Sequence, residues 1–309
     1  MHVFALAAKL IIFIVIGYAA RKLKAMEDGF DRMLTKFIMS VPLPVMIINS
    51  FRIEFSAREL LNLPIIIGMS VLTMAVCYGV GEIARRIIGG GRGKVARFGL
   101  TFTNFTFFGL SVVSELYGSQ AVFYFVIFTM PIRIMFYGSA PIILGDGTQK
   151  LHAKQTAKQF LSPPIIAVFV GLFLYIAQIE LPSVIDDVML TVGNMASPLG
   201  LMLCGTIIAD AKIRGVLDYP EVIVTSILRL LFMPAIALAI ALALRLDKMI
   251  IKTIVLYFAM PVASFLPLFS LRYNPHDTDA IAMGSYFVAV STILCVATIP
   301  LWAFLLEFI

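Results

Sequence analysis

The sequence predicts an all-α membrane protein: ten transmembrane helices in two inverted five-helix repeats. Three observations lead there. The 309 residues are 61% hydrophobic and 14% charged, with a mean hydropathy of +0.99, whereas a soluble domain is about 45–50% apolar and about 25% charged. Apolar stretches near the roughly 20 residues that span a bilayer recur ten times. Two short patterns also repeat at nearly one offset. A soluble enzyme and a disordered scaffold are excluded by composition alone.

Polar breaks delimit spans near 2–20, 33–51, 60–83, 97–115, 119–144, 160–179, 188–209, 221–244, 250–271 and 280–306. The first apolar stretch, Val3–Ala20, has no small-residue cleavage site and is read as a span, not a removed signal peptide. Leu60–Gly81, Gln159–Ile179, Val188–Ala209 and Ala280–Leu306 contain no charge. Sixteen Lys and Arg fall in or beside the odd-numbered connections and five in the even-numbered ones. Positive residues prefer the cytoplasm, so both termini are expected outside the cell membrane. The net charge of +6 is thereby an orientation signal, with no nucleic-acid partner implied.

Ile11–Gly17 resembles Ile165–Gly171 at an offset of 154, and Pro42–Met46 resembles Pro198–Met202 at 156. Glu54 and Asp210 follow at the second offset. The expected halves are 1–150 and 151–309. Five spans each is an odd number, so the second half enters the membrane the opposite way up. Inverted repeats of this kind are a transporter architecture, with the site near the midplane.

Helix breakers cluster in two spans. The fourth carries Thr101, Thr103, Asn104, Thr106, Gly109 and Ser111; the ninth carries Pro261, Ser264 and Pro267. Proline removes a backbone donor, and opened backbone is tolerated in a bilayer only against protein or a water-filled cavity. Half-helix N-termini meeting at one point suit an anion. Lys9, Arg133 and Arg229 fall inside spans with no acidic residue expected at their depth, an imbalance that an anionic substrate would offset. Arg133 is the foremost candidate. Lys9 is expected to reach the outer face and Arg229 the inner headgroups.

Enzymatic sets are not found. Cys77, Cys204 and Cys295 lie in apolar stretches, and His2, His152 and His276 have no metal-ligand spacing, so no metal or cofactor is expected. Asp186-Asp187 reads as a solvated turn. Gly89–Gly93 lacks the Gly-Lys-Ser/Thr ending of a phosphate loop.

Over nearly the whole chain the sequence resembles the auxin efflux carrier family, whose bacterial members include proteins regarded as malate and malonate permeases. Asn104 through Gly109, Leu110 and Ser111 are similar to the family's Asn-x-x-x-x-Gly-Ile/Leu-Pro, with Tyr117-Gly118 at the family spacing. Ala259-Met260-Pro261 with Tyr273-Asn274 resembles the ninth-helix crossover, and Ser197-Pro198-Leu199-Gly200 the seventh-helix pattern. The resemblance implies broken fourth and ninth helices that cross, a scaffold, a moving transport unit and an organic anion bound beside Asn104. It implies Tyr137 as an aromatic lining position, with Ile132 where plant members carry a polar residue and Arg133 beside it. Ser111 stands where the family usually has the crossover Pro, and the third span lacks the plant carriers' acid–lysine pair.

Together these features predict a secondary transporter of small mono- or dicarboxylates. The expected binding residues are Asn104, Gly109, Ser111, Ile132, Arg133, Tyr137, Pro261 and Val262. Partners are the carboxylate and the lipid bilayer; a homodimer and proton or sodium coupling stay open. The alternatives are a sodium-coupled symporter of the bile-acid type and a sensor that kept a transporter fold.

Overall fold

The structure, a computed structural model, describes residues 2–27, 29–145, 162–210 and 213–309. The expected boundary at residue 150 lies outside the described residues. Every regular element among them is helical. In chain order these are α1 (His2–Lys22), α2 (Phe30–Ser40), α3 (Pro42–Ser50), α4 (Ala57–Ile88), α5 (Gly90–Thr101) and α6 (Leu110–Leu144). The second half holds α7 (Pro163–Ala177), α8 (Ser183–Asn194), α9 (Ala196–Asp210), α10 (Pro220–Ile227), α11 (Met233–Ala243), α12 (Lys248–Ala259), α13 (Leu266–Tyr273) and α14 (Thr278–Leu305). Two π-helical turns, Phe105–Gly109 and Leu228–Phe232, lead into α6 and α11.

Six helical stretches among the described residues are long and apolar enough to cross a bilayer: Phe30–Ser50, Glu59–Ile88, Phe105–Phe136, Ser183–Asp210, Pro220–Ala243 and Thr278–Phe308. Pro163–Ala177 is a shorter apolar helix. The chain is therefore a multi-pass membrane protein. Large apolar side chains face outward, as at Leu61, Ile87, Phe173 and Val184, where a hydrocarbon surround replaces water.

The interruptions have local causes. Val41 takes φ −127° and ψ −78° just before Pro42, which lacks the N–H that would continue the helix, so α2 and α3 meet at a kink. Gly118 has φ +72° and ψ −164°, which turns the chain sharply within α6; a side chain there would be strained. α5 stops at Thr101, where Phe102 turns extended, and α12 stops at Ala259, where Met260 does the same ahead of Pro261.

Glycine sets the closest helix contact. α1 packs on α9 backbone to backbone, with Gly17 against Met202 and Gly205 against Ile14. A Cβ at Gly17 would sit 2.0 Å from the Met202 carbonyl oxygen, and one at Gly205 2.0 Å from that of Ile14. Around this contact, Arg21 binds Asp210 at 2.8 Å.

One expectation about charge is overturned. Lys9 has a partner: its Nζ lies 2.5 Å from Glu115 Oε2, and the other Glu115 oxygen accepts from Ser197 Oγ at 3.3 Å. Two residues 106 positions apart in sequence meet once α1 folds against the start of α6. At the end rich in basic residues, Arg92 of α5 bridges Glu221 at 3.0 Å and Asp279 at 2.5 Å, beneath the ring of Tyr219. The Tyr219 hydroxyl donates to Asp279 at 2.6 Å, and that bond pushes its pKa up to about 12. This cluster ties α5, α10 and α14 into one body.

Gly17→Val is expected to destabilise the protein by about 2 kcal/mol or more through overpacking, read as a lower melting temperature in detergent. An unchanged melting temperature would mean that α1 and α9 do not meet through this glycine.

Candidate functional site

The two interrupted segments meet. Thr103 and Val262 form an isolated antiparallel bridge. The Asn104 N–H donates to the Pro261 carbonyl at 2.8 Å and the Ala263 N–H to the Phe102 carbonyl at 3.2 Å. Two short pieces of extended chain thus satisfy each other where their helices have opened. The Val262 N–H donates to Ser291 Oγ of α14 at 3.1 Å.

Asn104 is the polar centre of the junction. It is buried, and its Oδ1 caps the π-helical turn by accepting from the Phe107 N–H at 3.3 Å. Its Nδ2 donates to Ser264 Oγ at 2.6 Å and reaches Cys204 Sγ of α9 at 3.6 Å. The segment after Asn104 and the start of α13 both present helix N-termini, whose first N–H groups have no intrahelical acceptor. Such ends carry partial positive charge.

A cleft beside this junction is lined by Thr103, Asn104, Thr106, Phe136, Ser264 and Phe265, with Met39 across from them. It encloses about 10 Å³, roughly the room of one water molecule. Next to it opens a vestibule of about 520 Å³, walled by Asp31, Arg32, Thr35 and Lys36 of α2, by Leu203 and Ile207 of α9, and by α13. Phe107, Ser264 and Phe265 line both spaces. The rings of Phe107 and Phe265 stand 6.1 Å apart between them. The junction is closed in this conformation, and its nearest approach is from the side where basic residues of α2 gather.

The sequence-predicted residues divide. Asn104, Pro261 and Val262 come together at the bridge. Gly109 lies at the end of the π-helical turn, its N–H on the Asn104 carbonyl at 2.9 Å. Arg133, buried in α6, donates to Thr106 Oγ1 at 3.3 Å and lies 4.9 Å from the Phe105 ring centroid. It therefore stands behind two residues of the cleft wall. Ile132 is fully buried in the core. Ser111 is helical, the second residue of α6, with its hydroxyl donating to the Phe107 carbonyl at 2.6 Å and the Ser197 carbonyl at 3.2 Å. The break in this span accordingly falls at 102–104, ahead of Ser111. Tyr137 belongs to α6, but its side chain lies outside the described residues.

Arg229 corrects a second expectation. It does not reach the headgroups: it is 0% exposed and donates from Nη1 to the Leu100 carbonyl. Ser264, Cys204 and Thr106 are site residues that sequence reasoning missed. Ser264 and Thr106 carried a signal, since both fall in the polar clusters of the ninth and fourth spans; Cys204 gains its place only through packing.

Opened backbone paired at the heart of an apolar helical bundle defines a membrane transporter as a class. The family described as membrane transport protein matches residues 2–157 and again 146–303, so the chain belongs to that family, the auxin efflux carriers. It is similar to the "uncharacterized transporter YfdV" of Escherichia coli K12, 20% identical over 311 residues that cover 96% of this chain and 95% of the relative. An "uncharacterized transporter" of Methanothermobacter thermautotrophicus is 22% identical over 298 residues, covering 96% of both chains.

In a Cys204→Ser background, a cysteine introduced by Ser264→Cys is expected to react with a water-soluble thiol reagent applied from the Arg32–Lys36 side. Phe265→Ala should speed that reaction severalfold. Equal reaction from both sides, or no effect of Phe265→Ala, would contradict the closed wall between vestibule and cleft.

Proposed function

We propose that this protein is a secondary transporter of small mono- or dicarboxylates, which bind at the junction of the two interrupted helices. The observation that carries the reading is the paired backbone at Thr103 and Val262, with the Asn104 side chain and two helix N-termini beside it. In this reading Asn104 Nδ2 leaves Ser264 to donate to a carboxylate oxygen, and the N–H groups at the start of the π-helical turn and of α13 complete the cradle. Arg133 supplies positive charge through the Thr106 wall. Arg32 and Lys36, which outnumber Asp31 on the same wall, draw the anion into the vestibule, as a charged funnel does.

The architecture that serves this function is ten spans in two inverted repeats, 1–150 and 151–309. Three exchanges of packing support it. α1 packs on α9 as α7 packs on α3, with Gly17 and Gly171 at the two contacts and Gly171 closing on Phe51. The pair α4 and α5 recurs as α11 and α12, and the contact of α5 with α14 recurs as that of α12 with α6. Interruptions also recur in order: the α2–α3 boundary at Val41 matches the α8–α9 boundary at Met195, and the two opened segments match each other. The vestibule then belongs to an inward-facing approach with both termini outside, because its basic residues lie on the positive side. Access alternates as the body that contains the junction moves against the scaffold of α1–α3 and α7–α9.

Uptake of labelled malonate into proteoliposomes, with and without sodium and proton gradients, tests the proposal. Asn104→Ala should lower uptake by about tenfold or more, the scale of a lost hydrogen bond to a charged group, and Arg133→Ala, which removes charge behind the wall, should lower it severalfold. If both variants transport like the parent, the binding site is elsewhere. If the parent takes up no mono- or dicarboxylate, the substrate class is wrong.

A further inference from the structure

Arg229 is a cation with no contact to the cleft, and it is among the largest fully buried side chains of the protein. It sits in the π-helical turn Leu228–Phe232, which Trp302 holds from α14 by donating Nε1 to the Leu230 carbonyl at 2.7 Å. Nη1 donates to the Leu100 carbonyl, at the C-terminal end of α5 just before the opened segment. The guanidinium lies 5.9 Å from the ring centroid of Tyr257, whose hydroxyl donates to the next carbonyl, Thr101, at 3.4 Å. Nε and Nη2 find no oxygen acceptor, and the neutral, buried Cys77 thiol of α4 is the polar group beside them. Among the described residues, no carboxylate forms an ion pair with it.

Four helix ends meet at the junction, and their charges oppose one another. The N-termini after Asn104 and at α13 attract an anion; the C-termini of α5 and α12 carry about half a unit of negative charge each and repel it. Left alone, the two pairs nearly cancel. The α12 end is closed by a neutral donor, with Cys295 Sγ 3.3 Å from the Ala259 carbonyl. The α5 end has a full positive charge instead. A neutral donor would satisfy Leu100 equally well, and burying a cation costs several kcal/mol. The guanidinium therefore brings more than the hydrogen bond. Uncancelled by a carboxylate and shielded from water, its field extends across the junction.

We infer that Arg229 is the specificity-determining residue that makes the junction select anions, by neutralising the negative end of α5 from behind. It is a positioning residue that touches no substrate, and the inference rests on the proposed carboxylate transport. The test compares the parent with Arg229→Met and Arg229→Lys in proteoliposomes. The readouts are KM for malonate and the inhibition constant of uncharged malonamide. Arg229→Met should raise the malonate KM about tenfold, the scale of a buried helix-end charge, while the malonamide constant moves less than twofold. Arg229→Lys should restore the parent's preference for malonate even if its maximal rate falls.

Equal changes for malonate and malonamide in Arg229→Met would make the residue merely structural and overturn the inference. So would an unchanged malonate KM. If Arg229→Met does not fold, Arg229→Lys decides: loss of the malonate preference despite a retained charge overturns it. A parent that takes up no carboxylate defeats the transport proposal itself, whereas the variant outcomes bear on Arg229 alone.

Discussion

A peptide group in hydrocarbon without a hydrogen-bond partner costs several kcal/mol, and this chain opens two of its helices in the middle of apolar sequence. The structure depends on how those groups are satisfied. Phe102–Asn104 and Pro261–Ala263 lend each other the donors and acceptors that their helices gave up. The remaining exposed ends are closed by side chains: Asn104 on Phe107, Arg229 on Leu100, Tyr257 on Thr101, Cys295 on Ala259 and Ser291 on Val262. Each opened segment requires the other, so neither half of the chain completes this junction alone.

That constraint also concentrates chemistry at one point. An unbroken helix has no free N–H groups to offer a ligand; a helix opened and capped by a neighbour does. The side chains around the junction are neutral hydroxyl, amide and thiol groups, and the cations Arg133 and Arg229 stand a layer behind. A layered arrangement of this kind brings positive potential to the junction without placing a charged side chain in its wall. A closed cleft of about 10 Å³ lies beside a vestibule of about 520 Å³, the geometry on which the proposed alternation of access rests.

Much of the helical layout was legible in the sequence, because length and apolarity report spans directly. The breakers Asn104 and Pro261 marked both interruptions, and Pro42 marked the kink at Val41. What was hidden depends on packing between distant segments. The Lys9–Glu115 pair could not be read from residues 106 positions apart. Arg229 lies some nine residues into its span, a depth from which a long side chain reaches the headgroups as readily as it turns inward; only the carbonyl freed at Leu100 decides between them. The place of Ser111 just past the π-helical turn, facing Ser197, likewise depends on where α9 crosses.

The most direct measurement is a density map of the protein in lipid nanodiscs at saturating concentration of the carboxylate that most raises its melting temperature. The account predicts ligand density between Asn104 and Ser264, with the two opened segments still paired and Arg229 still on the Leu100 carbonyl. Ligand density away from this junction, or continuous helix through residues 98–114 and 250–271, would contradict it.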